Sequence, residues 1–189
     1  MKITMVTSNV GKAKEVAAFF GGSVEVAHVV LEIPEHRSDD VGEIARGKAQ
    51  YAYERLKTPL LVDDTGLFID ALSGFPGPYA AYALHSIGNT GILKLMEGNP
   101  DRTARFITAI AFADLQGVQI FKGIIDGHIA HAPRGTGGFG YDPIFEVEGK
   151  TLAELPLEEK IRMSHRARAL AAFHDWFMGE YRSAIDANG

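Results

Sequence analysis

The sequence predicts a mixed α/β fold, and three features carry that prediction. Lys2 to Thr7, Val24 to Ile33 and Leu60 to Val62 read as strands, with helical periodicity between them; this βα alternation builds parallel sheet. Arg102 to Asp114 and Val118 to Ala130 are long β-like runs separated by Leu115-Gln116-Gly117, a hairpin signal. An antiparallel pair beside βα units makes the sheet mixed. The chain closes on a helix from about Ser164, with Leu170, Phe173, His174, Phe177 and Tyr181 on one face.

Composition narrows the class. At 189 residues the chain fits one domain, 1–189, with or without two lobes. Its 46% hydrophobic and 23% charged residues are those of a soluble globular protein with a real core. A net charge of -5, a pI near 5.8 and no Lys/Arg block argue against a nucleic-acid partner. A small anionic ligand stays open, because a few local cations suffice for it. The absence of cysteine excludes disulfides and thiolate metal sites and fits a cytoplasmic protein. No apolar run reaches membrane-spanning length and no signal-peptide pattern opens the chain, so no membrane partner is expected.

The first strand breaks at Ser8-Asn9-Val10-Gly11, and Val16, Phe19 and Phe20 then mark a helix ended by Gly21-Gly22. Thr7, Ser8, Asn9, Val10, Gly11 and Lys12 thus form a strand-to-helix turn. Free N–H groups, the positive helix end and the lysine favour an anion there; Ser8 or Asn9 also suits a plain N-cap. Asp40 to Glu43 resembles a capping box, and the helix behind it carries Val41, Ile44, Ala45, Ala49, Ala52 and Leu56. Lys48 falls inside that stripe. Either it snorkels to the rim or it reaches an anion near Asp63 and Asp64. Glu35, in the preceding loop, is a candidate metal-side carboxylate.

Leu60-Leu61-Val62-Asp63-Asp64-Thr65-Gly66 is the most informative stretch. Its apolar run reads as a strand buried on both faces, and the two acids follow at what reads as its carboxyl end, where ligand crevices of α/β sheets lie. Paired carboxylates there suit a divalent cation carrying phosphates; a single Asp would suffice to cap a turn. Gly74 to Tyr79 reads as a rigid loop and Asn89 to Glu97 as a short helix. In the long hairpin Ala104, Phe106, Thr108, Ile110 and Phe112 share one face, which reads as scaffold. In Arg134 to Pro143 four glycines allow close backbone approach, while Phe139, Tyr141 and Asp142 supply stacking and an acceptor for a nucleobase. A second capping box at Thr151 to Glu154 precedes a helical turn from Pro156 to Met163. Lys160, Ser164, His165 and Arg166 then gather at one helix start, a second anion or carbonyl site.

Five motifs occur together in order: Thr7-Ser8-Asn9-x-x-Lys12, Asp63-Asp64-Thr65-Gly66, Phe75-Pro76-Gly77-Pro78-Tyr79, Gly138-Phe139-Gly140-Tyr141-Asp142-Pro143 and Ser164-His165-Arg166-x-Arg168-Ala169. In this set the chain resembles the inosine triphosphate pyrophosphatase family from Thr7 to Phe177. The resemblance implies an elongated α/β fold with a mixed sheet, two lobes about a central cleft, and a homodimer. It implies Mg²⁺-dependent hydrolysis of ITP, dITP and XTP to the monophosphate and pyrophosphate, cleansing the nucleotide pool. By motif position Asp64 would be general base and metal ligand, Glu35 the other metal-side acid and Asp63 a supporting acid. Thr7, Ser8, Asn9, Val10, Gly11, Lys12 and Lys48 would hold phosphates, and Thr65 would touch substrate. Phe139, Gly140, Tyr141 and Asp142 would line the base pocket, read by Lys160, Ser164, His165 and Arg166. Two positions depart: Ala81 stands where some members carry a basic residue, and Tyr141 where others have tryptophan.

The chemistry agrees with that reading. Phosphoryl transfer needs charge neutralisation and a positioned nucleophile, and donors aimed at a 6-carbonyl would meet another donor in adenine. Such mispairing can discriminate by ~10⁴ or more. A pyrophosphatase for pyrimidine or modified nucleotides and a non-catalytic nucleotide sensor are the alternatives.

Overall fold

The computed structural model describes residues 2–34 and 36–181. The chain forms β1 (Lys2–Val6), α1 (Val10–Phe20), β2 (Glu25–Val29), α2 (Val41–Leu56), β3 (Leu60–Ile69) and β4 (Pro76–Gly77). There follow α3 (Ala80–Ser86), α4 (Gly88–Leu95), β5 (Thr103–Asp114), β6 (Gly117–Ile129), β7 (Phe145–Val147), β8 (Lys150–Thr151), α5 (Leu157–Met163) and α6 (His165–Trp176). The strands join in one sheet, ordered β2-β1-β3-β5-β6-β7-β8, with β4 paired to β3. β1 is parallel to β2 and β3, and the remaining pairs are antiparallel. The mixed sheet expected from the hairpin is the one observed.

Strand period decides the layers. Alternate residues of a strand face opposite sides, so β5 turns Ile110 and Phe112 one way and Ala109, Ala111 and Ala113 the other. The first set packs with Met5, Leu61, Phe20, Leu170 and Phe173 beneath α1 and α6. The second packs with Leu60, Val62, Ala45, Ala49 and Ala52 beneath α2, and alanine on both surfaces lets that helix lie close. A third core lies along the other end of the sheet, with Leu67, Ile69, Phe106, Ile125, Tyr141 and Phe145 against Ile92 and Met96 of the α4 region. Gly123 places α6. A Cβ there would stand 2.0 Å from His165 O and 2.4 Å from Ala169 N, so the first turns of α6 rest on bare β6 backbone.

The strand carrying the two acids is longer than its apolar run suggests. β3 does not end near Asp64 but continues to Ile69, and Thr65-Gly66 is strand rather than turn. Only its parallel pairing with β1 stops, at Val62. Its antiparallel pairing with β5 runs on from Leu60↔Ala113 to Ile69↔Ala104, so the backbone stays satisfied through the acids. Conversely, β2 ends at Val29, short of the expected Ile33. It is an edge strand, and its sole neighbour β1 ends at Val6. Helix α3 was not anticipated from the sequence; Asp40 caps α2 as expected, its Oδ1 accepting from Gly42 N at 2.6 Å.

Candidate active site

Because Asp63 and Asp64 are consecutive on a strand, they point to opposite faces of the sheet. They do not meet one cation together, as their adjacency in sequence suggested. Asp63 turns toward α1 and α6. Its Oδ1 contacts Lys12 Nζ and its Oδ2 accepts from Arg166 Nε at 2.8 Å. Burial alone would raise this carboxyl, but Arg166 and Lys12 outweigh it and carry it well below the usual range. Asp64 turns toward α2, where Lys48 Nζ donates to its Oδ1 at 2.6 Å. Burial raises Asp64 above its ordinary value against the pull of Lys48 and Lys12. Its Oδ2 is buried with no hydrogen-bond partner.

Around Asp63 the α6 start builds a closed ion network. Glu15 of α1, 5% exposed, meets both Arg166 Nη1 and Lys160 Nζ. Lys160 also reaches Asp142 Oδ2 at 2.5 Å, and that oxygen accepts from Phe139 N at 2.7 Å. Burial raises Asp142 despite Lys160. Burial would lower Arg166, yet Asp63 and Glu15 raise it further above its ordinary range. Each buried charge thus has an opposite charge, the condition under which burial is tolerated. His165 sits among these groups uncharged. Burial first, then Arg166, holds its pKa well below the ordinary histidine value. Its ring stacks on Phe106 with centroids 4.6 Å apart, and its Nδ1 lies 2.6 Å from Thr108 Oγ1.

These groups border two adjoining hollows. One, of about 100 Å³, is walled by Phe106, Phe139, Gly140, Tyr141 and Leu84, with Asp142, Lys160, His165 and Arg166 at its polar end. Lys160 stands 4.8 Å and Arg166 5.7 Å from the Phe139 ring centre. The other, of about 310 Å³, is lined by Thr7, Ser8, Lys48, Asp63, Asp64, Tyr79 and Tyr82. Asn9, Lys12, Thr65 and Ala81 border both. A largely apolar slot therefore opens into a polar chamber with two lysines and an unpartnered carboxylate oxygen.

The predicted residues take distinct places. Asn9 is the N-cap of α1, accepting from Lys12 N at 3.2 Å, and its own N donates to Thr7 Oγ1 at 3.1 Å. Val10 is 57% exposed. Gly11 matters by what it lacks: a Cβ would come within 2.5 Å of the Phe139 ring, which lies across the helix start. Ser164 caps α6, accepting from Ala167 N at 3.2 Å, so its hydroxyl holds the helix rather than facing the slot. Tyr141 OH donates to Ala80 O at 2.7 Å. Glu35 lies outside the described residues. Among the described residues no cluster of three or more His, Asp or Glu side chains forms a metal centre.

Three contributors escaped the sequence reading. Glu15 borders the apolar stripe of α1, four residues before Phe19, and a buried acid there is legible only once Lys160 and Arg166 are seen opposite. Phe106 and Thr108 looked like scaffold. The hydroxyl of Thr108 on an otherwise apolar face was the available signal.

A mixed-sheet α/β protein whose cleft joins an aromatic-walled hollow to a polar one is thereby defined. The Ham1 family model matches residues 3–176. The dITP/XTP pyrophosphatase of Methanopyrus kandleri is 49% identical over 183 residues, covering 94% of this chain and 96% of the relative. Inosine triphosphate pyrophosphatase 1 of Trypanosoma cruzi is 47% identical over 180 residues, covering 93% and 92%. Among solved structures, the Ham1 protein of Staphylococcus aureus superposes with a TM-score of 0.81 at 31% identity, covering 95% of this chain and all of that one. The Ham1 protein of Coxiella burnetii gives 0.79 at 31% identity, with 92% and 96% covered. The chain belongs to the Ham1 family.

Proposed function

We propose that the protein hydrolyses non-standard purine nucleoside triphosphates (ITP, dITP and XTP) to the monophosphate and pyrophosphate. The observation that carries this reading is the junction of the two hollows at Asn9, Lys12 and Thr65. It lets one molecule lay a base on Phe139 and Tyr141 while its phosphates reach Lys12 and Lys48. The names of the relatives support the same substrates.

Asp64 is the general base. Its unpartnered Oδ2 takes the proton of the attacking water, while Lys48 orients the carboxylate through Oδ1. Lys12 and Lys48 offset charge on the phosphates as the bond between the α- and β-phosphates breaks. A buried carboxylate oxygen without a donor fits a hard cation, and Mg²⁺ characteristically takes one or two protein carboxylates beside substrate phosphates. Asp64, with Glu35, would hold it, and when bound it supplies further charge neutralisation at the phosphate oxygens. Asp63, paired to Lys12 and Arg166, holds the walls of the site instead. At the base end, Lys160, His165 and Arg166 surround the purine 6-carbonyl.

The chain works as one domain of two lobes, a reading supported by separate apolar cores at the two ends of the sheet. It acts in the cytoplasm as a homodimer; exposed Phe75, and exposed Tyr79 and Tyr82 at the cleft, supply apolar surface for a second copy. The decisive assay is pyrophosphate release with Mg²⁺ from ITP, XTP, dITP, ATP, GTP and TTP side by side. Turnover of the first three with little on ATP or GTP is expected. Activity confined to pyrimidine nucleotides would replace this reading with the pyrimidine one.

A further inference from the structure

Two threonines, Thr65 half-buried and Thr108 buried, link the ion network to the histidine of the base slot. Arg166 Nη2 lies 3.2 Å from Thr65 Oγ1, and because a guanidinium only donates, that oxygen accepts. Thr65 Oγ1 is in turn 2.6 Å from Thr108 Oγ1 and 3.4 Å from Asp63 Oδ1. Hydroxyl donors bond at about 2.5–3.0 Å, so Thr108 is the better-placed acceptor for the Thr65 proton. Asp63 Oδ1, at 3.4 Å, lies beyond that range and is the weaker acceptor. Thr108 is fully buried. If its oxygen accepts from Thr65, its own proton is left to His165 Nδ1, 2.6 Å away.

We infer that Thr108 is a positioning residue that fixes His165 as the neutral tautomer protonated on Nε2, making the ring a hydrogen-bond donor to the purine 6-position. With Nδ1 turned to Thr108, Nε2 is the polar atom left to a base in the slot. The direction of the relay matters chemically. An Nε2–H donor suits a 6-carbonyl and repels a 6-amino group; the reversed relay would present an acceptor and favour adenine. The distances set the direction: were Thr108 to donate to Thr65, the Thr65 proton would be left with only Asp63 Oδ1 at 3.4 Å. Stacking on Phe106 restrains the ring.

This inference rests on the 6-keto purine reading of the slot, but its first readout does not. Two-bond ¹H–¹⁵N correlation spectra of the ¹⁵N-labelled protein report histidine tautomers directly, with His165→Asn identifying the relevant peaks. Nδ1 unprotonated and Nε2 protonated near neutral pH is the expected pattern; a proton on Nδ1 overturns the inference. Thr108→Val keeps the shape and removes the hydroxyl. It should lose the fixed tautomer and lower the ITP-over-ATP ratio of kcat/KM by about tenfold or more, the scale of one hydrogen bond. Thr108→Ser should restore both, which a purely structural role would not require. A valine variant with unchanged tautomer and unchanged ratio overturns the relay. Should the wild type release no pyrophosphate from ITP, the substrate reading falls while the spectra still decide the relay.

Discussion

The two ends of the cleft treat charge in opposite ways. At the base end Glu15, Asp63, Asp142, Lys160 and Arg166 are all buried and all paired with one another. At the phosphate end Lys48 keeps 24% of its side chain exposed, and Asp64 leaves one oxygen without a partner. A closed network has no charge to offer a ligand, so it can hold neutral and fixed donors in place. An open one is completed only when anions and a cation arrive. Recognition of a neutral base needs the first arrangement and phosphate chemistry needs the second. One strand supplies both, because adjacent residues of β3 face opposite sides of the sheet.

The comparison breaks most sharply at Asp64. Asp64→Asn removes the unpaired oxygen's basicity but leaves Lys12 and Lys48, so turnover should fall by about 10²–10⁴ while nucleotide affinity stays within about tenfold. Single-turnover pyrophosphate release and equilibrium titration separate the two; equal turnover in mutant and wild type would remove Asp64 from the chemistry. The closed network should answer in stability instead. Arg166→Met strands Asp63 and Glu15 and should cost about 3–5 kcal/mol, measured by urea unfolding. Because the folded Asp63 carboxyl lies below its unfolded value of about 3.9, that contribution is present above this pH and is lost as pH falls below it. The gap between wild type and variant should therefore narrow in acid. A gap that widened there would contradict the pairing.

A finer test sharpens the open end. In the proposed role Asp64 must be ionised to accept a proton, and burial raises its pKa while Lys48 draws it down. The acid limb of kcat/KM should thus lie above the ordinary aspartate value. In Lys48→Met it should move to higher pH, beyond any loss in phosphate affinity. A limb that stays in place would leave Lys48 as a phosphate ligand alone.

Much of this molecule can be read from its sequence in one dimension. The βα alternation, the long hairpin and both capping motifs are local, set by period and side-chain chemistry over a few residues, and they appear in the fold nearly where expected. Most of the residues that meet in the cleft were legible too: Lys48 and Asp64 interrupt apolar runs, Lys12 follows a strand-to-helix turn, and Lys160 and His165 gather with Ser164 and Arg166 at one helix start. Ser164 was legible as a polar group at the right place, although its hydroxyl serves the α6 cap. Strand ends were less so. β3 runs past its acids because β5 lies alongside, and β2 stops early because β1 does.

What tertiary structure alone decided is which charges are used up. Asp63 and Asp64 are chemically identical neighbours in sequence, and only the placement of α6 on one face and α2 on the other closes the pairing of one and leaves an oxygen of the other without a partner. Glu15, Thr108 and Phe106 acquire their places only when helix α6 docks on the bare backbone of Gly123. Composition and period set which groups are present and which way each strand residue turns. Partners distant in sequence, such as Asp63 and Arg166, settle ionisation and hydrogen-bond direction, because those depend on distance in space and on exclusion of water.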